Sequence, residues 1–285
     1  MAKFIDSVKK RIKAMFPEKV QRKTIESDYV LETENLGISF GGLKAVQNVN
    51  LKISKNQIYG LVGPNGAGKT TVFNLLTGVY QPTEGTFYLN GEELRGLPQE
   101  ETNHKGIART FQNIRLFNKM SVLDNVRVGL HNHTDCNFAQ SFLRLPAHFK
   151  AERKSTEKAL ELLSIFDMEN DAYTMAGNLP YGAQRRLEII RALATSPKLL
   201  LLDEPAAGMN PSETAALMES IRKIRDTFHI AILLIEHDMN LVMNVCEGIA
   251  VLNFGKIIAK GSPEQIKSNE AVIEAYLGHH EEDDE

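Results

Sequence analysis

Three stretches of the chain, residues 58–62, 199–202 and 230–235, are uncharged and mostly aliphatic, and the last two run straight into acids. None shows the alternation of a strand with one wet face. Strands buried on both faces read this way, and they belong to a mainly parallel sheet with helices on either side. Helix-period segments follow at 70–78, stopped by Gly78, and at 186–193. Residues 30–36 and 45–51 do alternate, with Phe40, Gly41 and Gly42 placed to turn between them, and 85–91 adds a third such strand. These predict an antiparallel β lobe. Residues 107–112 run back toward the core. From about 121 to 178 the pattern is mostly helical: Glu157, Leu160, Leu163 and Phe166 are spaced for one face and Ser155 is a candidate cap. The expected architecture is α/β, with a helical lobe inserted at about residues 115–180 of a domain spanning 28–278.

The two ends differ from this pattern. Residues 1–27 form a basic extension: Lys3, Lys9, Lys10, Arg11, Lys13, Lys19, Arg22 and Lys23 stand against Asp6 and Glu18 before residue 24, and Phe4, Val8, Ile12 and Met15 recur at helical spacing. That is a short basic amphipathic helix ending before Pro17, suited to an anionic membrane surface or a partner, with a solvated arm as the plainer reading. Residues 279–285 are acidic and predict solvated disorder. His131, His133 and His148 lie in a stretch without a clear pattern. They read as surface histidines rather than a metal cluster.

Composition narrows the function classes. A formal net charge of −3 over 285 residues argues against a general nucleic-acid binder. No apolar run approaches the ~18 residues of a membrane span, and the start lacks the apolar core of a secretion signal. A cytoplasmic chain is expected. Cys136 and Cys246 show no ligand spacing and read as buried thiols.

The chemistry concentrates at Gly63, Pro64, Asn65, Gly66, Ala67, Gly68, Lys69, Thr70 and Thr71, which fill every position of the pattern G-x-x-x-x-G-K-[ST] between a buried strand and a helix. The glycines let successive N–H groups converge on phosphate oxygens, and the helix N-terminus adds its positive dipole end. Lys69 would place a point charge on the β and γ phosphates, and Thr70 a hydroxyl on Mg²⁺. A glycine-rich turn without ligand is the bland alternative. Asp203 and Glu204 close the second aliphatic strand: the first is placed to hold Mg²⁺, the second to orient the water that attacks the γ phosphorus. As structural groups they would be an N-cap and a helix-dipole partner. Ligands of parallel sheets gather at the carboxyl ends of strands, so the phosphate loop, the two acids and His237 should converge.

With these residues in place, the chain resembles the ATP-binding cassette ATPases from about residue 30 to 278. The resemblance implies a P-loop NTPase core with an antiparallel β lobe and an inserted helical lobe, and a Mg²⁺-dependent ATPase. It implies that Phe40 stacks on adenine, that Gln112 senses Mg²⁺ and the membrane subunit, and that His237 contacts the γ phosphate. The family's Leu-Ser-Gly-Gly-Gln stretch, which contacts ATP on the opposite subunit, is here Leu179, Pro180, Tyr181, Gly182 and Ala183. Pro180 has neither hydroxyl nor N–H, leaving Gly182 and the following helix N-terminus to make any such contact. The aspartate usual after the Mg²⁺ strand is Asn210.

Residues 109–112, 179–189, 204–211 and 234–239 together are similar to the larger ATPase of bacterial branched-chain amino acid importers, a group that includes cassettes for urea, amides and lipopolysaccharide export. Membrane permease subunits and a second ATPase subunit, the same or different, are the implied partners, with a solute-binding protein met indirectly. The implied location is the inner face of the cell membrane. A soluble cassette acting on ribosomes or DNA is a rival reading, although such proteins usually carry two cassettes or a long coiled coil. A kinase or GTPase on the same loop leaves His237 unexplained.

Overall fold

The computed structural model describes residues 23–131 and 146–277. The basic helix expected before Pro17, the acidic tail, His133 and Cys136 lie outside the described residues, as does the side chain of His148.

The core is a six-stranded sheet in the order β11-β10-β4-β9-β8-β7, built from β4 (Ile58–Val62), β7 (Ile107–Arg109), β8 (Leu199–Asp203), β9 (Ala231–Ile235), β10 (Gly248–Asn253) and β11 (Lys256–Gly261). All neighbours are parallel except the edge pair β10–β11. The aliphatic runs are explained by which core each residue enters. Leu200, Leu202, Ile232, Leu234, Ile249 and Val251 bury on one face, while Leu199, Leu201, Leu233, Ile235, Ala250 and Leu252 bury on the other. Side chains alternate along a strand, so a sheet covered on both sides needs an apolar residue at every position.

One cover is the antiparallel lobe, where β1 (Tyr29–Phe40) pairs with β2 (Leu43–Val49), β3 (Lys52–Ser54) and β5 (Glu84–Leu89), and β6 (Glu92–Glu93) extends β5. Helix α1 (Lys69–Leu76) buries Val72, Phe73, Leu75 and Leu76 in this same core. The other cover is helical: α3 (Val122–Leu130), α4 (Pro146–Ile165), α5 (Tyr181–Leu193), α6 (Pro211–Phe228) and α7 (Met239–Val245), with short helices α2 (Gln99–Lys105), α8 (Pro263–Lys267) and α9 (Glu270–Leu277) completing the chain. No helix among the described residues is long and apolar enough to cross a membrane.

Several sequence expectations shift along the chain. Ser155 lies inside α4 and caps nothing; the buried face of that helix runs through Ala159 and Leu163 on to Phe166, while Glu157 is exposed and pairs with Arg153. Helix α5 starts at Tyr181, five residues before the apolar period suggests, with Pro180 as its N-cap. Strands β10 and β11 escaped the reading, though residues 248–253 are apolar enough to find. Asn210 proves to be the N-cap of α6: its Oδ1 accepts from Glu213 N–H at 2.9 Å, and Glu213 Oε2 accepts from Asn210 N–H at 3.0 Å. Asparagine caps as well as aspartate, so this departure costs the helix nothing.

The helical layer is packed tightly where α3 crosses α5. A Cβ at Gly129 would lie 2.4 Å from the carbonyl oxygen of Arg191 and 2.8 Å from the Cβ of Ala194. Gly129→Ala must therefore push two helices apart, and overpacking of this kind costs about 1–3 kcal/mol. The expected outcome is a Tm lowered by several degrees with nucleotide affinity kept; a variant melting with the parent would mean that the crossing yields without cost.

Candidate functional site

The phosphate-type loop leaves β4 under a tight steric constraint. Gly63 has φ 153°, and a Cβ there would sit 2.0 Å from the carbonyl oxygen of Leu252 on β10. The turn after β10 grips the loop again through Gly255 N–H, which donates to Ala67 O at 2.9 Å. Gly68 then opens α1 in a left-handed conformation, with no side-chain cap and no acid in the first turn. Asn65, Gly66 and Thr70 are exposed and Thr71 is half-buried. An uncapped helix end with orphan N–H groups beside open space suits an anion.

Lys69 folds back over its own loop. It is 7 % exposed, and its Nζ donates to Gly63 O at 2.7 Å and Pro64 O at 2.8 Å. Burial holds its ammonium below the usual lysine value, against the opposing pull of Glu204 and Asp203. Those two acids thus face it from the end of β8, two strands away.

Asp203 is 4 % exposed and pairs in register with Ile235 of β9. Its Oδ2 accepts from Arg109 Nη2 at 2.6 Å, and Arg109 Nη1 donates to Asn74 Oδ1 on α1 at 2.6 Å. Arg109 therefore ties the edge strand, α1 and the carboxylate together, a role its place in the sequence did not disclose. Glu204 follows in a left-handed backbone, φ 45°, held by its N–H donating to Ile235 O at 3.0 Å. For a residue with a Cβ this costs about 1–2 kcal/mol, and such strain clusters at functional turns. Gln112, exposed in the loop after β7, donates from Nε2 to Glu204 Oε2 at 2.8 Å.

His237 is exposed just past β9, its Nδ1 3.9 Å from Glu236 Oε2. Glu236 is 1 % exposed, and its Oε1 accepts from Ala206 N–H at 3.0 Å. Burial pushes this carboxyl above the usual range, with Ala206 and His237 pulling the other way. Glu236 thus links the turn after Glu204 to the strand end bearing His237. An acid closing an apolar run was the available signal.

Two sequence candidates lie on other surfaces. Phe40, at the end of β1, is 43 % exposed and meets Tyr80 edge-on, with ring centroids 5.3 Å apart. Gly182, in the first turn of α5, faces α6 of its own chain: a Cβ there would lie 3.2 Å from Glu213 Oε1. Next to it Tyr181 donates its hydroxyl to Ala207 O at 3.0 Å, tying the Pro180 segment to the turn after Glu204. The phosphate-type loop, Asp203, Glu204 and Gln112 come together at the carboxyl ends of β4, β8 and β9, with His237 beside them.

Comparison with known proteins shows the family. The family model described as "ABC transporter" matches residues 46–207, and one described as "Branched-chain amino acid ATP-binding cassette transporter" matches 256–282. The chain is 49% identical over 249 residues to the high-affinity branched-chain amino acid transport ATP-binding protein BraF of Pseudomonas aeruginosa, covering 87% of this chain and 98% of that protein. To the corresponding protein LivG of Escherichia coli K12 it is 46% identical over 252 residues, covering 88% and 99%. Among solved structures, the ADP conformation of MJ1267, an ATP-binding cassette of an ABC transporter, superposes with a TM-score of 0.77 at 30% identity, covering 88% of this chain and 100% of that one. With this loop, these strand ends and these relatives, the chain belongs to the ATP-binding cassette ATPases of ABC transporters.

Proposed function

We propose that this chain is the ATPase subunit of an importer for branched-chain amino acids, with Glu204 as the residue that activates water. The observation that carries the reading is the contact of Gln112 with Glu204 beside the Lys69 loop and Asp203. The ATP phosphates belong on the amides of residues 66–71, with Lys69 as counter-charge, and adenine belongs against Phe40. Thr70, Asp203 and Gln112 are the oxygen donors that would hold Mg²⁺, consistent with a hard cation's preference. That ion, when bound, neutralises charge on the β and γ phosphates.

Glu204 then orients water for in-line attack on the γ phosphorus and accepts its proton as the bond to the bridging oxygen breaks. Gln112 keeps the Glu204 carboxylate aimed, and His237 supplies a donor to the γ phosphate. Arg109 holds Asp203 by one oxygen, so the carboxylate is oriented before any cation arrives.

The membrane subunit has a natural seat in a groove of about 520 Å³ between the loop after β7 and helices α3 and α5. Phe117 and Val128 are exposed there, and Arg115, Leu116 and Arg191 complete its walls. Apolar surface flanked by cations suits a short helix from a membrane protein. The import reading is tested by purifying the chain with its membrane permease subunits and measuring ATPase in vesicles. Leucine, isoleucine or valine with its binding protein should stimulate hydrolysis; stimulation by urea or an amide alone would assign another solute.

Three outcomes follow for the site. Lys69→Ala removes a charge-assisted contact worth roughly 1.5–3 kcal/mol, so ATP affinity should fall about tenfold or more in a fluorescence titration. Unchanged binding would remove the phosphate-loop reading.

Glu204→Gln should still bind ATP but hydrolyse it about 10²- to 10⁴-fold more slowly in single turnover, because general-base action is lost. Asp203→Asn should disturb Mg²⁺ binding itself, raising the Mg²⁺ concentration that hydrolysis requires. The assignment fails if the two variants exchange these behaviours.

Glu236→Gln retains the acceptor for Ala206 N–H and removes a carboxyl whose folded pKa is raised. Below the unfolded value near 4.3 both forms of the parent are protonated, and the variant gains nothing. As pH rises past that value, folding opposes ionisation of the parent, and the variant becomes relatively more stable by about 1.4 kcal/mol for each pKa unit raised. Urea melts at pH 4 and pH 8 read this; an equal difference at both would show that Glu236 ionises freely in the fold.

A further inference from the structure

Helix α5 buries an ion pair one turn apart. Arg185 is 0 % and Glu188 2 % exposed, with Nη1 2.9 Å from Oε2. Apolar residues of similar volume usually serve a core as well or better, so a buried pair calls for a further purpose. Its remaining bonds supply one. Arg185 Nη1 donates to Phe111 O at 2.6 Å and Nη2 to Gln112 O at 2.7 Å, while Glu188 Oε1 accepts from Arg115 N–H at 3.0 Å. Three main-chain groups within residues 111–115, a stretch without helix or strand, are thus held by two side chains of one helix. The guanidinium fork is suited to this, since its donors are fixed relative to one another and reach two successive carbonyls.

Both ends of the clamp lead to Glu204. The loop it holds carries Gln112, whose side chain bonds the Glu204 carboxylate. The helix it belongs to begins with Tyr181, bonded to Ala207 in the turn that follows Glu204. The groove proposed for the membrane subunit is walled by the same two pieces, Arg115, Leu116 and Phe117 from the loop and Arg191 from α5.

We propose that the Arg185–Glu188 pair is a positioning clamp that makes the Gln112 loop and α5 one body, so that a push in the groove reaches the Glu204 carboxylate through Gln112. This rests on the reading of Glu204 as the water-activating residue. Both clamp side chains are buried. Each acts through the main chain of the loop. The clamp acts on the Gln112 side of the site and leaves the phosphate and adenine contacts alone, because the Lys69 loop and Phe40 are positioned by β10 and β1.

The test is the double substitution Arg185→Met with Glu188→Leu in the full-length chain, which leaves no unpaired buried charge. Its Tm should stay near the parent's, and ATP affinity should be retained. Single-turnover hydrolysis should fall about 10- to 100-fold, the cost of misplacing a group by an ångström or so. Deuterium uptake across residues 111–115 should accelerate, reporting release of the Arg115 amide. Adding Gln112→Ala should cost nothing more, whereas a merely structural role would multiply the two losses. If the apolar pair does not fold, Arg185→Lys carries the same measurements: it keeps the charge opposite Glu188 but offers a point donor instead of a fork, and gives a smaller change of the same kind. Unchanged protection of 111–115 overturns the clamp, as does parental hydrolysis where Gln112→Ala alone is impaired. If Gln112→Ala hydrolyses like the parent, the reading of the Glu204 site is what fails, and the clamp is then decided by the exchange data.

Discussion

Gly63 passes so close to β10 that its missing Cβ would overlap the Leu252 carbonyl oxygen, at 2.0 Å. That approach is the constraint on which the site depends. It sets where the chain turns out of β4, and Gly255 then fixes the far side of the loop through the Ala67 carbonyl. Because β4 lies between β10 and β9, the loop is gripped from one neighbour and faces the strand ends of the other. Gly255 itself is tied to β2, since its carbonyl accepts from Gln47 N–H at 2.8 Å. The antiparallel lobe therefore braces the loop as well as carrying Phe40. Binding a polyanion on backbone amides works only if the amides are aimed beforehand, because each disordered residue would have to be fixed at a cost of about 1–2 kcal/mol.

The same site keeps its charges occupied. Lys69 rests on two carbonyls and Asp203 on Arg109. Leaving either group buried and unpaired would cost several kcal/mol, more than most single interactions return. These internal partners make the fold independent of nucleotide, and they are neutral carbonyls in the case of Lys69, which phosphate oxygens can outbid electrostatically. Glu204 differs. It is held by a left-handed backbone and by one amide side chain, that of Gln112.

What could be read from the chain follows from how local each signal is. The strand–loop–helix around Lys69 is contiguous, so its residue types and spacing declare the chemistry. The doubly buried strands were legible because burial on both faces removes polar positions altogether. The contact of Gln112 with Glu204 spans 92 residues, and that of Arg109 with Asp203 spans 94. Neither leaves a periodic trace. Arg109 stood in plain view beside Thr110 and Phe111, but nothing in an arginine's neighbours says which carboxylate it will find. Ser155 misled for the converse reason: a serine before an apolar period is a cap only where the helix begins, and here the helix already runs from Pro146.

Pro180 and Asn210 show how a departure from a family pattern is absorbed. Pro180 cannot donate, yet it precedes a helix, where a fixed φ and an absent N–H are tolerated. Tyr181 supplies the hydroxyl its neighbour lacks, but spends it on Ala207 of the same chain. Asn210 caps α6 and, through Glu213, brings that helix against Gly182. The first turn of α5 is thereby fastened to the segment after Glu204, whereas a serine free of such ties would leave it available to a partner's phosphate. In this chain the stretch that the family uses between subunits is also bound within one. Tyr181 and Glu213 hold the first turn of α5 in place, so the position of that turn is set by the segment that follows Glu204.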